Sequence, residues 1–380
     1  MFIGEKHAPL PPPKLYRTVA VYKFTFTLFA IGLCLSGIRP AHAVPMDDPF
    51  GYFNVYSLGN INYSGGDFQG KAGAAGNVSF NHFSLALKDQ GGHALHVGGD
   101  ATLNNGSFYG GIEAGKNISV GNLGVYGDVH GGGNIGNTSG GTIHGNVYAG
   151  GSATLTPSIT YYSKSSGVPY SPEADLAAIS GYFAGFSAAV GDMADTGSIG
   201  SSYGSLNISA SSGINVFSLS AADMYAAHTV NITGGSDAIV YINATGAAAN
   251  LNSTTWKFYG GIASDDVLLN YADAATLSMT SSNNINILAP FADTTFNSGL
   301  VTGNLIVGNL AGNGQVNLEH FDHGPRNPIP EPATALLLCV GLASFIGLRF
   351  WSLRSGNRRK LARLPRGSGS NRSRKGISPR

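Results

Sequence analysis

The sequence has almost no cysteine. Of 380 residues two are Cys, Cys34 and Cys339, and each lies in an apolar stretch near one end of the chain. The body between these stretches, 44–329, has none. No disulfide can hold it together, so its stability must come from apolar packing, backbone ladders or bound ions. Charge is scarce as well. Asp, Glu, Lys and Arg make up 11% of the chain, less than half the usual share of about 25%. Within 44–329 six Lys/Arg stand against nineteen Asp/Glu, a net charge of −13. A phosphate backbone is held by basic contacts, so this balance argues against nucleic acid as a partner. The chain lacks a Gly-X-Y period and is not collagen. Its 43% hydrophobic content separates it from highly charged disordered chains.

What is abundant is glycine, 55 residues, roughly twice average usage. Together with many Asn, Ser and Thr this composition predicts an extracellular β protein with many tight turns rather than a cytosolic α/β enzyme.

The basic residues sit at the two ends. Lys6, Lys14, Arg17 and Lys23 form a positive n-region, and Phe24 to Ile38 is a nearly uncharged apolar run. Ala41-His42-Ala43 is a small-x-small cleavage site, which places the mature start at Val44 and makes 1–43 a signal peptide. Such a peptide implies the Sec translocon and signal peptidase as partners. At the other end Asn327 to Pro332 is a stiff linker that cannot continue a helix. Ala333 to Leu348 is uncharged and mostly apolar. Phe350 and Trp351 then suit an interface, and Arg349, Arg354, Arg358, Arg359 and Lys360 form a positive flank. A transmembrane helix over 333–351, a basic cytoplasmic tail over 352–380 and an exported body follow from that order.

Pro330-Glu331-Pro332, a short apolar helix and an Arg cluster, in that order, resemble the PEP-CTERM sorting signal. The resemblance covers about 328–360. It implies handling by an exosortase, a membrane enzyme of Gram-negative bacteria that make exopolysaccharide. Delivery would be to the cell envelope or extracellular matrix, after an intermediate anchored in the inner membrane. The tail 361–380 runs past the point where such signals usually stop.

The body, 44–326, opens with a repetitive half. From 91 to 151 twenty of 61 residues are Gly. Short units recur, among them Gly59-Asn60-Ile61-Asn62, Gly76-Asn77-Val78-Ser79, Gly99-Asp100-Ala101, Gly127-Asp128-Val129, Gly133-Asn134-Ile135 and Gly145-Asn146-Val147. Each pairs a turn dipeptide, whose residues tolerate positive φ, with an alternating β-type tripeptide. The first two spacings are 17 and 23 residues and the later ones look irregular. The pattern predicts a mainly β fold, a Gly-rich β-solenoid of the right-handed β-helix kind, with a β-sandwich as the alternative.

Ser171-Pro172-Glu173 predicts a helix start, with Ser171 as cap. Leu176, Ile179, Phe183, Phe186 and Val190 follow at helical spacing, so one flanking helix is expected over 172–194, weakened by Gly181 and Gly185. Strand signals return over 205–209, 213–219, 229–233, 238–244, 267–270, 275–280, 285–288 and 303–307.

The segments Phe53 to Asn60, Ile214 to Leu219, Ala238 to Asn243, Val267 to Tyr271, Ile287 to Ala292 and Val301 to Ile306, with the Gly-Asn-Val units between them, are similar to the choice-of-anchor A domain. The resemblance covers about 50–322 and implies an adhesive surface or matrix protein. The family offers no catalytic residue to carry over.

Chemical motifs are sparse. Gly200-Ser201-Ser202-Tyr203-Gly204 matches the Gly-x-Ser-x-Gly pattern without the strand and helix an elbow needs. Gly131 to Gly136 matches a dinucleotide pattern but reads as coil turns. His93 and His96 lack an obvious third metal ligand. Glu319, His320, Asp322 and His323 read as a solvated edge before the linker. Gly65-Gly66-Asp67 and Gly98-Gly99-Asp100 are fragments of calcium repeats that do not continue. No cofactor, metal or catalytic residue is expected. Tyr56, Tyr63, Phe80, Phe108, Tyr109, Tyr126 and Tyr148 are either coil-to-coil packing or a sugar-stacking surface. Adhesion to exopolysaccharide or to other surface proteins is the leading reading. The alternatives are a dedicated glycan or ice binder, or a polysaccharide-active enzyme needing a carboxylate or basic cluster on one coil face. Ice would favour Thr-x-Thr arrays, and the one noted is Thr154-Leu155-Thr156.

Overall fold

A computed structural model describes residues 48–251 and 254–324. The chain winds into a three-sided parallel β-solenoid. Face I begins at Gly213–Ser220 and steps through Ala238–Thr245, Val267–Asn270 and the two long strands Asn286–Phe296 and Leu305–Gly312. It then continues at Val55–Ser57, through Ala72–Ala74, His93–Val97, Gly111–Ala114, Val129–Gly131 and Val147–Ala149 to Lys164–Ser166. Coil order therefore differs from chain order. The last coil of the body stacks on the first, in register on all three faces: Leu305 beside Val55, Leu310 beside Ile61 and Val316 beside Phe68.

Alternation places Val, Ile, Leu and Phe inward on every coil, and they merge into one buried column. Near the joint Phe80 and Phe83 stack, and Phe68 meets both edge-on. These ladders are parallel; the one antiparallel pair among the described strands is Gly200–Ser202 with Ser205–Ser209. A sandwich needs antiparallel ladders throughout, so the solenoid reading holds and the sandwich falls.

The Gly-Asn units turn out to serve contact rather than turn conformation. Asn60 Oδ1 accepts the Asn77 N–H at 2.8 Å, Asn77 that of Asp100, Asp100 that of Asn117, Asn117 that of Asn134 and Asn134 that of Ser152. The preceding glycines have ordinary φ. A Cβ on Gly99 would lie 2.2 Å from the Asn77 amide oxygen, and one on Gly76 would lie 2.5 Å from that of Asn60. Glycine is needed where one coil touches the ladder of the previous one. The partners are 17, 23, 17, 17 and 18 residues apart, so the period is regular apart from one longer coil. It looked irregular in sequence because Gly127-Asp128 and Gly145-Asn146 belong to a second corner, with its own ladder from Asp128 to Asn146 to Ser163.

Three α-helices accompany the coils among the described residues: α1 (Pro49–Tyr52), α2 (Glu173–Gly191) and α3 (Ala221–Ala226). The expected flanking helix is α2. Ser171 does not cap it; its hydroxyl bonds the Glu173 carboxylate, and the N-cap is Pro172. The two short helices carried no periodic signal. Helix α2 lies along face I. Tyr56 Oη donates to Leu176 O at 2.6 Å, and Asn243 Nδ2 donates to Val190 O at 2.8 Å. From Leu176 to Val190 a helix rises about 21 Å, close to the roughly 19 Å covered by four coil-to-coil steps. Phe50 of α1 is wedged edge-on against Phe183, Phe186 and Phe321. Among the described residues no helix is long and apolar enough to cross a membrane. The segment 333–351 lies outside them, as do Ala41, Ala43, Val44, Pro330, Glu331, Pro332, Arg349, Arg354, Arg358, Arg359 and Lys360.

Candidate adhesive surface

Face II carries a continuous file of small residues. One outward residue per coil forms a single file: Asn250, Ser278, Thr295, Ala311, Asn62, Ser79, Thr102, Ser119, Gly136 and Thr154. Eight of the ten follow a buried apolar residue on their strand, such as Leu277, Ile61, Val78, Ala101 or Ile118, so period two fixes which side faces out. Nine steps span about 43 Å. None of the ten residues is charged or large. The Asn/Asp ladder runs beside this file, and Asn309 Nδ2 extends it across the joint to Asp293 Oδ1 at 2.7 Å. Small uncharged side chains at one-coil spacing, flanked by a ladder bonded from coil to coil, make a regular strip.

The tyrosines divide. Tyr56, Tyr63, Phe80 and Phe108 are buried, and so belong to packing. Tyr109, which is half-buried, and the exposed Tyr126 and His144 form a corner stack with centroids 5.1 and 4.8 Å apart and rings within 12° of parallel. Tyr126 has both faces covered by its neighbours, so its packing role is already taken up within the stack.

Face I carries a polar cluster that sequence reading saw only in part. Glu113 is wholly buried, with Oε1 3.0 Å from His93 Nδ1 and Oε2 2.9 Å from His96 Nδ1. His96 Nε2 meets Tyr52 Oη at 2.9 Å. Burial pushes the Glu113 carboxyl upward, but the bond and charge of His96, the charge of His93 and the Tyr170 hydroxyl together hold it below the ordinary glutamate value. Burial first, and the Glu113 charge second, raise Tyr170. The missing partner of His96 lies one coil, 17 residues, further on. The next two coils put His130 and Tyr148 in the same column. Adding the coil period to His96 would have found all three. The cluster ties α1 to face I. Among the described residues no group of three His, Cys, Asp or Glu can hold a metal.

The remaining motifs resolve simply. Residues 319–323 are docked, not solvated: Ser264 Oγ donates to Glu319 Oε1 at 2.7 Å, His323 Nε2 sits 2.8 Å from Asp266 Oδ1, and Phe321 is buried. Burial lowers the His320 value and raises that of Glu319. Asp67 accepts from Gln315, and Asp100 is a rung of the ladder, so both carboxylates already serve coil contacts. Gly200 to Gly204 is a hairpin whose tip, Tyr203-Gly204, has φ of 48 and 74°, as a two-residue primed turn requires. Gly131 to Gly136 joins two coil strands.

The sequence model of a family described as "Putative Ice-binding-like adhesive domain" matches residues 47–318. The chain belongs to this adhesive-domain family. The match covers every described strand of the solenoid, and nearly the stretch whose motifs resembled an adhesive domain. No curated protein and no solved structure matches the chain.

Proposed function

We propose that the protein is an exported, non-enzymatic surface or matrix adhesin that lays face II against an extended polymer. The observation that carries this reading is the ten-coil file of small uncharged residues. A repeating partner such as exopolysaccharide can meet a repeating strip at many weak points, and strength then comes from number. Ice is disfavoured, because Thr fills only three of the ten positions, 102, 154 and 295.

Export and sorting belong to the same proposal. The basic n-region, the apolar run and Ala41-His42-Ala43 support cleavage by signal peptidase before Val44 after passage through the Sec translocon. Pro330-Glu331-Pro332, the apolar stretch and the basic flank support an inner-membrane intermediate and an exosortase-type enzyme. The choice-of-anchor A resemblance supports an adhesive body joined to an exchangeable anchor. Mass spectrometry of the protein from envelope and matrix tests the sorting. The expected product starts at Val44, ends near Pro332 and is found in the matrix. An intact chain through Arg380, confined to the inner membrane, would contradict it.

A further inference from the structure

Two stretches lie against face I at the joint, α1 before Val55–Ser57 and 319–323 after Gln315–Asn317, and one side chain fastens both. Asn304 donates through Nδ2 to Phe50 O and Phe53 O at 3.0 and 2.6 Å, and its Oδ1 accepts the Phe321 N–H at 2.6 Å. These bonds fix which end of the amide is which. Phe50 and Phe321 then meet edge-on, with centroids 5.5 Å apart.

Three histidines complete the clasp. His96 meets Tyr52 of α1 and stands 2.9 Å from Glu113, and His323 stands 2.8 Å from Asp266. Protonation of either ring sets a positive charge beside a carboxylate, which favours the pair. His320 differs. Its ring donates to the Phe50 carbonyl, and its Nδ1 lies 3.5 Å from the Asn304 amino nitrogen. Among the described residues no carboxylate forms an ion pair with it. A charge there would face the electropositive end of an amide whose donors are already committed. Asp48 at the start of α1, Asp89 between Val78–Leu85 and His93–Val97, and Asp322 of its own segment act on the ring from further off and favour the charge. Lys71, 2.7 Å from Asp89, offsets one of them. Burial outweighs all three and holds the His320 value below the ordinary 6.5.

We propose that His320 is an acid-sensitive latch, whose protonation loosens α1 and 319–323 together from face I while the coils stay wound. A base held below its unfolded value contributes stability that is present above 6.5 and is lost as pH falls through the folded value. Glu319 and Asp265, whose carboxyls burial raises, act in the opposite sense and from the carboxylate range. Loosening uncovers an apolar layer, because Phe50, Phe53 and Phe321 share one buried cluster with Tyr56, Leu288 and Ile306. Mild acid thus adds an apolar patch on face I. The latch is separate from face II, so the inference goes beyond the adhesive reading and stands or falls apart from it.

The test is hydrogen exchange of the full-length protein, read by mass spectrometry as protection factors at about pH 7.5 and about pH 5. Peptides covering 48–53 and 319–323 should lose about tenfold in protection at the lower pH, and the strand peptide 118–125 should not change. His320→Gln keeps a donor for the Phe50 carbonyl and cannot titrate, so both segments should hold one protection value at the two pH values. Should that variant fail to fold, the assigned His320 ring proton of the wild-type protein is followed by NMR, and its midpoint should lie below 6.5. Protection of the wild type that does not depend on pH, a folded His320→Gln that still loses about tenfold, or a midpoint at or above 6.5 would overturn the inference. Protection lost equally along the coils would overturn it in favour of general acid unfolding.

Discussion

The two halves of the solenoid solve one stacking problem in different ways. In 55–166 the corners are thin, and exposed Asn, Asp and Ser side chains bond coil to coil over glycine. In 205–317 four asparagines on face I are instead buried beneath the layer that covers it. Asn243 and Asn270 bond each other and the end of α2, and Asn286 and Asn304 fasten neighbouring coils. The first half repeats every 17 or 18 residues over most of its length, whereas coils of the second differ widely: Asn207 to Asn231 is 24 residues and Asn243 to Asn270 is 27. A short corner forces a fixed residue type at a fixed spacing. A corner that is buried or carries a helix does not. One sheet can therefore be repetitive in one half of the sequence and nearly anonymous in the other.

The joint between the halves offers the largest effect. Asn304 Nδ2 donates to Phe50 O and Phe53 O at 3.0 and 2.6 Å, and its Oδ1 accepts the Phe321 N–H. Asn304→Leu strands the buried Phe53 carbonyl and Phe321 N–H, at about 1–3 kcal/mol each, and takes one of two side-chain partners from the Phe50 carbonyl. We expect a loss of about 3–5 kcal/mol in chemical unfolding, with both halves still unfolding in one transition. Separate transitions would show that the halves are independent.

Next comes close approach in the first half. A Cβ on Gly106 would lie 1.8 Å from the Phe83 carbonyl oxygen. Gly106→Ala must push two coils apart and should cost about 2–3 kcal/mol, read as a lowered melting temperature.

The buried acid gives a pH signature. Glu113 has a folded value below the unfolded 4.5, so its contribution is present above that value and is lost as pH falls through the folded one. Glu319 and Asp265, whose values burial raises, oppose this trend. Glu113→Gln should cost about 1–3 kcal/mol near neutrality and flatten the acid limb of stability against pH. An unchanged limb would remove Glu113 from the account.

The smallest effect has the opposite sign. A Cβ on Gly181, exposed on α2, meets nothing within 4 Å. Gly181→Ala should stabilise the protein by about 0.5–1 kcal/mol, measured as a raised melting temperature.

These contrasts explain what could be read from the sequence. Alternation of inward Val, Ile and Leu gave the strands at 205–209, 229–233 and 267–270 to the residue. It fell short at Asn286–Phe296, where Pro290 and an irregular corner break the alternation midway. The order of coils was not legible, because nothing local says that Leu305 sits on Val55. Face II was invisible for the same reason: its file joins Ala311 to Asn62 across nearly the whole body. Glu113 was missed because its partners are one coil away rather than one turn away, and the coil length emerges only when the two corners are counted separately.

The central claim is that face II is the adhesive surface. Its direct test is adsorption of the full-length protein to exopolysaccharide from its own matrix. Ser79→Tyr with Thr102→Tyr would roughen face II, and Ser84→Tyr with Ser107→Tyr would do the same, at the same two coils, to the third face, on which Asp67–Phe68 stacks on Ser84 and Leu85. The account predicts about a tenfold loss of adsorption for the first pair and wild-type adsorption for the second. Equal behaviour of the two pairs would contradict it.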